Sequence, residues 1–491
     1  MKNSLAGISP LISIDRNSAT PLHKQVYDGY RAAILRGDLS PGQRIPSSRK
    51  LAADIRISRF PVLYAYDQLL AEGYFESQTG SGTYVSRTLP EQMTSVNRGP
   101  GSSGNASSGP RPVAQRTTIF PAFTDSPTLR GWGAFNVHQP ALDEFPFGIW
   151  SKLLMRHSRN PPSSIHQIAP FGSTRLRREL CAYLRTARGV KCDPEQVMVV
   201  SGSQQALDLT ARVLMDPGSA VFFEEPGYRL ARTALEISGC QVVPVPVDHD
   251  GMDIAYASKL GVRARAAMVT PSHQFPLGST MSATRRLHLL NWAQSAGAWI
   301  IEDDYDSEYR YESKPIACLQ GLDANSRVIY VGTFSKVLFP SIRIGYIVIP
   351  SDLVPRFAAM RFAMDIFPPY LFQEVLADFI ELGHFGRHIR RMRQLYGERR
   401  AALIECLRAE FGDMLEVCGT EAGMHLVAML PDGFDDREIA DRAGRQQLWM
   451  MPLSSYYMGR APRQGLVLGF GSTSIDQVPG AVKRLRAALT A

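Results

Sequence analysis

No stretch of the 491 residues approaches the roughly 18 consecutive apolar positions that a membrane span needs, so no membrane partner is expected. The opening residues Met1 to Pro10 lack the unbroken apolar run of an export signal, and the expected compartment is the cytoplasm. Cysteine is scarce. The six present, Cys181, Cys192, Cys240, Cys318, Cys406 and Cys418, lie far apart with no Cys-x-x-Cys pair, which argues against a zinc site and against a secreted disulfide framework. No metal ligand set is expected. Internal repeats and heptads are also missing, so nothing signals a solenoid or a coiled coil. Charged residues make up only 20%, too few for a disordered polyelectrolyte, while the 44% hydrophobic share is ample for a core. A chain of this length suits one large domain plus a small one.

A break in composition divides the chain. Between Leu89 and Thr117 periodicity disappears, and the run Asn97-Arg-Gly-Pro-Gly-Ser-Ser-Gly-Asn-Ala-Ser-Ser-Gly-Pro-Arg-Pro112 carries almost no large apolar side chain. Such a segment cannot offset its ordering entropy and reads as a flexible linker. The expected organisation is a head over residues 12–88, a linker over 89–117 and a body over 118–491. Residues 1–88 hold eleven Lys/Arg against seven Asp/Glu, a net +4, so half of the whole-chain +8 sits in less than a fifth of the length.

The head reads as a winged helix-turn-helix. Thr20-Pro21 is a cap followed by a proline at the first helical position, after which Leu22, Val26, Tyr30, Ala33 and Ile34 recur at helical spacing until Gly37. Ser47 is suited to cap a short second helix with Leu51 and Ile55 on one face, and Ser58 a third with Val62, Ala65, Tyr66, Leu69 and Leu70 inward. Tyr74–Glu76 and Thr83–Val85 then alternate like strands around a glycine-bearing hairpin, the wing. In this layout the third helix presents its N-terminal side chains to the major groove. Arg59 is the best-placed base reader, while Arg49 and Arg44 suit phosphate or a groove edge. The other reading of three helices alone is a small bundle with ordinary surface arginines.

The Pro46-Ser-Ser-Arg-Lys-Leu-Ala52 run, the Ser58-Arg59 helix start and the Gly80-Ser-Gly-Thr-Tyr-Val85 wing together resemble the GntR family of bacterial regulators, over about Pro21 to Ser86. The resemblance implies DNA contacts by Arg49, Ser58, Arg59 and the wing residue Gly80. The chain departs from the family pattern at Phe60-Pro61, where Thr-Thr or Thr-Val is common, and at Leu63-Tyr64, where another basic residue is common.

In the body, apolar β-rich runs alternate with helix-length segments: 197–200, 220–223, 241–245, 266–269, 298–301, 328–331 and 344–348. Short, doubly buried runs of this kind indicate an α/β domain with a mainly parallel sheet, whose ligands bind beyond the carboxyl ends of the strands. The polar residues following each run are therefore candidates. Ser201-Gly-Ser-Gln204 is a small polar turn opening a helix, by itself an ordinary cap before it is a phosphate cradle. Tyr228 sits on a turn where it can cover a flat heterocycle or belong to the core. His273 is either a base or a turn histidine with local hydrogen bonds. Glu302-Asp-Asp-Tyr-Asp-Ser-Glu308 offers a carboxylate for a pyridine nitrogen; the other reading, a metal site, lacks histidine neighbours and alternating ligand spacing. Lys336, bracketed by hydroxyls at a strand end and followed by apolar Val337-Leu-Phe339, suits a desolvated Schiff-base lysine, with Arg343 as an anion clamp.

The order of these motifs resembles the fold-type I aminotransferases, which depend on pyridoxal 5'-phosphate (PLP), over roughly residues 130–490. That resemblance implies a large α/β domain with a smaller C-terminal α/β subdomain. It makes Lys336 the internal aldimine lysine, Asp303 the partner of the ring nitrogen, Tyr305 the partner of the ring hydroxyl and Tyr228 the stacking ring. Ser203, Gln204, Ser335 and Arg343 would hold the phosphate. A GntR-type head joined to such a body is the architecture of the MocR/GabR-type regulators, which implies a PLP-binding transcription regulator acting on promoter DNA as a homodimer and sensing PLP or an amino compound. The alternatives are a working aminotransferase with an accessory head, and a DNA-binding protein whose body no longer holds cofactor. Two departures weigh against efficient turnover. The C-terminal strand Gly465–Gly471 lacks the usual carboxylate-binding arginine, although Arg460 and Arg463 are near in sequence, and Leu277 stands where Ser or Thr is common. The basic run 387–400 reads as a solvated helix face, since Ile389, Met392, Leu395 and Tyr396 form an ordinary core stripe.

Overall fold

The computed structural model describes residues 12–78, 81–89, 112–114, 117, 133–137, 139–161, 168–311, 317–459 and 461–490. The chain divides into two compact units, Met1–Pro112 and Val113–Ala491. Most of the expected linker, the wing residue Gly80 and Arg460 lie outside the described residues.

The first unit contains α1 (Leu22–Leu35), β1 (Arg44–Ile45), α2 (Ser48–Asp54), α3 (Arg59–Ala71), β2 (Phe75–Gln78) and β3 (Gly82–Val85). The helical stripes read from the sequence are the buried ones: Val26, Tyr30, Ala33 and Ile34 on α1, and Val62, Ala65, Tyr66 and Leu69 on α3. Pro21 stands at the N-cap of α1 rather than inside it, because its extended backbone ends the preceding turn while its carbonyl accepts from the Lys24 and Gln25 amides. Ser47 caps α2, accepting from the Lys50 amide at 3.3 Å. Ser58 occupies the N-cap of α3, but its side chain makes no capping bond, so the first amides of α3 remain open to solvent or a ligand. The hairpin of β2 and β3 gains a third strand, since Arg44–Ile45 pairs antiparallel with Thr83–Tyr84. Two residues carry no detectable periodicity, which is why that strand is invisible in the sequence.

In the second unit all seven apolar runs enter one eight-stranded sheet. The strands are β4 (Val197–Val200), β5 (Ala220–Glu225), β6 (Gln241–Asp248), β7 (Gly251–Met252), β8 (Ala266–Val269), β9 (Trp299–Asp304), β10 (Val328–Thr333) and β11 (Gly345–Val348), in the order β4-β11-β10-β9-β8-β5-β6-β7. The four central pairings from β10 to β6 are parallel, whereas β11 runs antiparallel between β10 and β4. Strands β4, β8, β10 and β11 are buried along their whole length, as strands covered on both faces must be. Their side chains alternate between two cores: Val197, Val199, Tyr330 and Tyr346 enter one, and Met198, Val200, Ile329 and Ile347 the other. A smaller antiparallel sheet follows, formed by β12 (Glu416–Cys418), β13 (His425–Met429), β14 (Met451–Pro452) and β15 (Gly465–Gly469) in the order β12-β13-β15-β14. The 28-residue helix His384–Phe411 buries Ile389, Met392 and Tyr396. No helix among the described residues is long and apolar enough to cross a membrane.

The rings of Tyr30, Tyr66 and Phe75 meet edge to face with centroids 5.3–5.6 Å apart, and the Tyr66 hydroxyl donates to the Pro46 carbonyl at 2.9 Å. This joins α1, α3, the wing and the entry to α2. Tyr66→Phe keeps the rings and deletes the hydroxyl, and should destabilise the head by about 1 kcal/mol. The check is faster amide hydrogen exchange along α3 in the full chain, with exchange in the large sheet unchanged.

Candidate functional site

Parallel strands deliver their carboxyl ends to one edge of the sheet, and the candidate residues lie there. Asp303 lies at the end of β9 and Tyr305 just after it, Ser335 and Lys336 follow β10, Tyr228 follows β5, and Ser203 follows β4. Arg343 reaches the same edge from the opposite direction because β11 runs antiparallel. Ser203, Tyr228, Asp303, Tyr305 and Lys336 line one pocket, together with Thr270, Phe275 and Thr333, which sequence reasoning had not singled out.

Lys336 is half-buried on the wall of the pocket. Burial pulls its pKa down from 10.5 to about 8, although Asp306 and Asp303 favour the charged form. Asp303 is 3% exposed, and burial, followed by the charges of Asp304 and Glu224, pushes its carboxyl up to about 7. Its Oδ1 is buried without a hydrogen-bond partner. Burial raises Tyr228 to about 12 and Tyr305 well above the usual phenol range. Both rings therefore stay protonated and can donate a hydrogen bond.

The acidic run after β9 is sorted by the pleat of the strand. Glu302 and Asp304 point away from Asp303, and each has a structural partner. Glu302 accepts from the Leu319 and Gln320 amides at 2.9 Å, capping the short helix Leu319–Leu322. Asp304 pairs with Arg188 at 2.8 Å, and Glu308 accepts from the Tyr183 hydroxyl at 2.9 Å. Asp303 remains the carboxylate with an unpartnered oxygen at the pocket. His273 is buried and makes local bonds, with Nδ1 3.0 Å from both Asp306 Oδ1 and the Tyr305 hydroxyl. Sequence reasoning assigned no metal ligand; His273, Asp306 and His425 do bring three ligand-type atoms within 4.8 Å of one another. Asp306, the residue after Tyr305, was missed because nothing in a run of carboxylates marks which one turns toward a lysine.

An anion cradle adjoins the pocket. Gly202, at φ +94°, is the N-cap of helix Ser203–Leu214, whose first amides have no partner within the helix. A Cβ at Gly202 would lie 3.1 Å from Arg343 Nη2, and one at Gly345 would lie 2.9 Å from Gly202 Cα, so both glycines permit this approach. Arg343 donates to the Ser201 carbonyl at 2.5 Å, which fixes the guanidinium over the turn. Ser335 Oγ is buried without a partner. A helix start, an unpartnered hydroxyl and a guanidinium, beside a neutralisable lysine and an unpartnered carboxylate, fit a flat aldehyde bearing a ring nitrogen and a phosphate.

Among the described residues no arginine lines this pocket. Arg463 is engaged with Glu416 at 2.5 Å. Leu277 packs with Phe275, Tyr305 and Tyr456. In the head, Arg44, Arg49, Ser58 and Arg59 are all exposed, and Arg59 Nε donates to Ser48 Oγ at 3.2 Å, linking the starts of α2 and α3.

Residues 22–85 match the model of the bacterial regulatory proteins of the gntR family, and residues 152–464 match that of the class I and II aminotransferases. The chain is 40% identical over 98% of its length, and 96% of the relative's, to the probable rhizopine catabolism regulatory protein MocR of Rhizobium meliloti. It is 31% identical over 95% of both chains to the pyridoxine biosynthesis transcriptional regulator PdxR of Corynebacterium glutamicum. Two solved structures resemble the body. One is an archaeal alanine:glyoxylate aminotransferase, with TM-score 0.72 and 27% identity over 77% of this chain and 98% of that one. The other is the kynurenine aminotransferase of Pyrococcus horikoshii, solved with PMP, with TM-score 0.70 and 27% identity over 77% of this chain and 96% of that one.

A lysine titrating near 8 is about one-tenth neutral at pH 7, far more than an ordinary lysine. Reductive methylation of Lys336, followed by mass spectrometry, should show a rate midpoint near pH 8. Asp306→Asn removes a charge that favours the ammonium, so the midpoint should move down. An upward move would contradict the assigned electrostatics.

Proposed function

The chain belongs to the gntR family of bacterial regulators, in the branch that carries a class I and II aminotransferase domain, and we propose that it is a PLP-binding transcription regulator whose body senses PLP or an amino compound. One observation carries the reading: a desolvated lysine faces a buried unpartnered carboxylate beside an anion cradle, in a chain whose other unit is a helix-turn-helix with exposed arginines. PLP supplies an aldehyde that joins reversibly to amines and a ring that withdraws electrons. Lys336 offers the amine, and the fraction of it that is neutral sets its readiness to engage an aldehyde. Asp303 accepts the ring N–H, and a cationic partner there would relieve the cost of keeping it ionised. Tyr305 donates to the ring oxygen, Tyr228 covers the ring, and Ser203, Gln204, Ser335 and Arg343 hold the phosphate.

The head binds promoter DNA through α3, with Arg59 at base edges, Arg44, Arg49 and Ser58 on phosphate or a groove edge, and the wing around Gly80 against the backbone. Residues 89–117 serve as the tether between sensor and reader, and a homodimer in the cytoplasm presents two heads to two half-sites. The second reading is a working aminotransferase, favoured by the full set of cofactor residues. The regulator reading is favoured by the 40% likeness across 98% of the chain to a regulatory protein.

Purified protein supplied with PLP should absorb in the visible, and Lys336→Ala should abolish that band; a colourless wild type would sink the sensor reading. Repeated turnover with an amino donor and a keto acid would favour the enzyme. Specific promoter binding should fall steeply with salt. Arg59→Ala should weaken it by about 1–3 kcal/mol, roughly 5- to 160-fold, and an unchanged affinity would show that α3 is not the reader.

A further inference from the structure

The recognition helix exposes two aromatic rings that its core does not use. Phe60, the second residue of α3, is 77% exposed, the highest value of any large hydrophobic side chain among the described residues. Tyr64, one turn further along the same face, is 55% exposed. The inward stripe of α3 is complete without them. Tyr64 has a partner, since its ring packs edge-on against His23 of α1 with centroids 4.8 Å apart. Phe60 stands ahead of it, in the turn that a recognition helix inserts deepest.

The surroundings decide what this surface meets. Arg59 precedes Phe60 directly, Arg44, Arg49 and Lys50 are exposed nearby in the same unit, and the first turns of α2 and α3 carry no acidic residue. A cationic rim around an apolar tip suits a polyanion with a small apolar feature inside it. In the major groove that feature is the 5-methyl group of thymine. We propose that Phe60 packs on a thymine methyl and makes this chain select thymine at one position of each site bound by a head. The proposal rests on the reading of the head as DNA-binding. Arg59, fixed by its bond to Ser48, supplies the polar contact next to it.

The test uses the full chain and duplexes it selects from a random library. In the selected duplex each thymine is replaced singly by deoxyuridine, which removes the methyl and leaves every hydrogen-bonding group in place. One such replacement per site should weaken wild-type binding about four-fold, the worth of burying one methyl-sized group. Phe60→Ala should lose that sensitivity, binding both duplexes alike, and Phe60→Leu should keep part of it. Phe60 is outside the core, so both variants should unfold at the wild-type temperature. If no deoxyuridine position matters, or if wild type and Phe60→Ala are equally sensitive, the proposal is overturned while DNA binding stands. If the chain selects no duplex at all, the DNA-binding reading falls and the proposal falls with it.

Discussion

Taking charges out of water at one edge of a parallel sheet is the constraint on which the body depends. An ammonium and several carboxylates are carried there by β5, β9 and the segment after β10, and burial penalises the charged form of each. The result is a set of groups poised near neutrality: Lys336 pulled down to about 8, Asp303 and Glu224 pushed up to about 7. Groups held so close to their switching points respond strongly to whatever charge is brought in. That is a useful property for a sensor, because a ligand with a cationic ring nitrogen and a phosphate changes the balance at both ends of the pocket.

The surrounding architecture keeps this charge density from destabilising the fold. Glu224 accepts from the Thr270 hydroxyl and amide at 2.6 and 3.1 Å, Glu302 caps a helix, and Asp304 is matched by Arg188. Arg188 also donates to Ser272 at 2.8 Å, tying the turn after β8 to the back of the site. Buried carboxylates are tolerated where each has a donor, and among the pocket-lining residues it is Asp303 that keeps an oxygen without one. The head has the opposite character. Its core is a small aromatic and aliphatic cluster, and its charges stand in solvent, where salt and phosphate can reach them.

Much of this was legible in the chain. The helical stripes of α1 and α3 and six of the seven apolar runs emerge as buried elements because periodicity records burial directly, whereas the run 241–245 forms β6 near the sheet edge with Val245 as its one buried side chain. The two-residue β1 and the antiparallel direction of β11 were not legible, since neither leaves a periodic trace. At the site, Lys336, Asp303, Tyr305, Tyr228 and Ser203 could be named from motif order and do line one pocket. Asp306, Thr270, Phe275 and Thr333 could not, because their part depends on which way a turn or a strand end faces.

The amino-acid sequence by itself determined that there would be an apolar parallel sheet, a helical head with excess positive charge, and polar residues at strand ends. These follow from side-chain period, composition and local capping, all of which are properties of neighbours in the chain. Only the tertiary structure decided which carboxylate of 302–308 faces the lysine, that Arg463 is committed to Glu416, and that Arg343 reaches Ser201 across 142 positions. Those outcomes depend on strand order and pleat, which bring distant residues to one edge and turn alternate side chains to opposite faces.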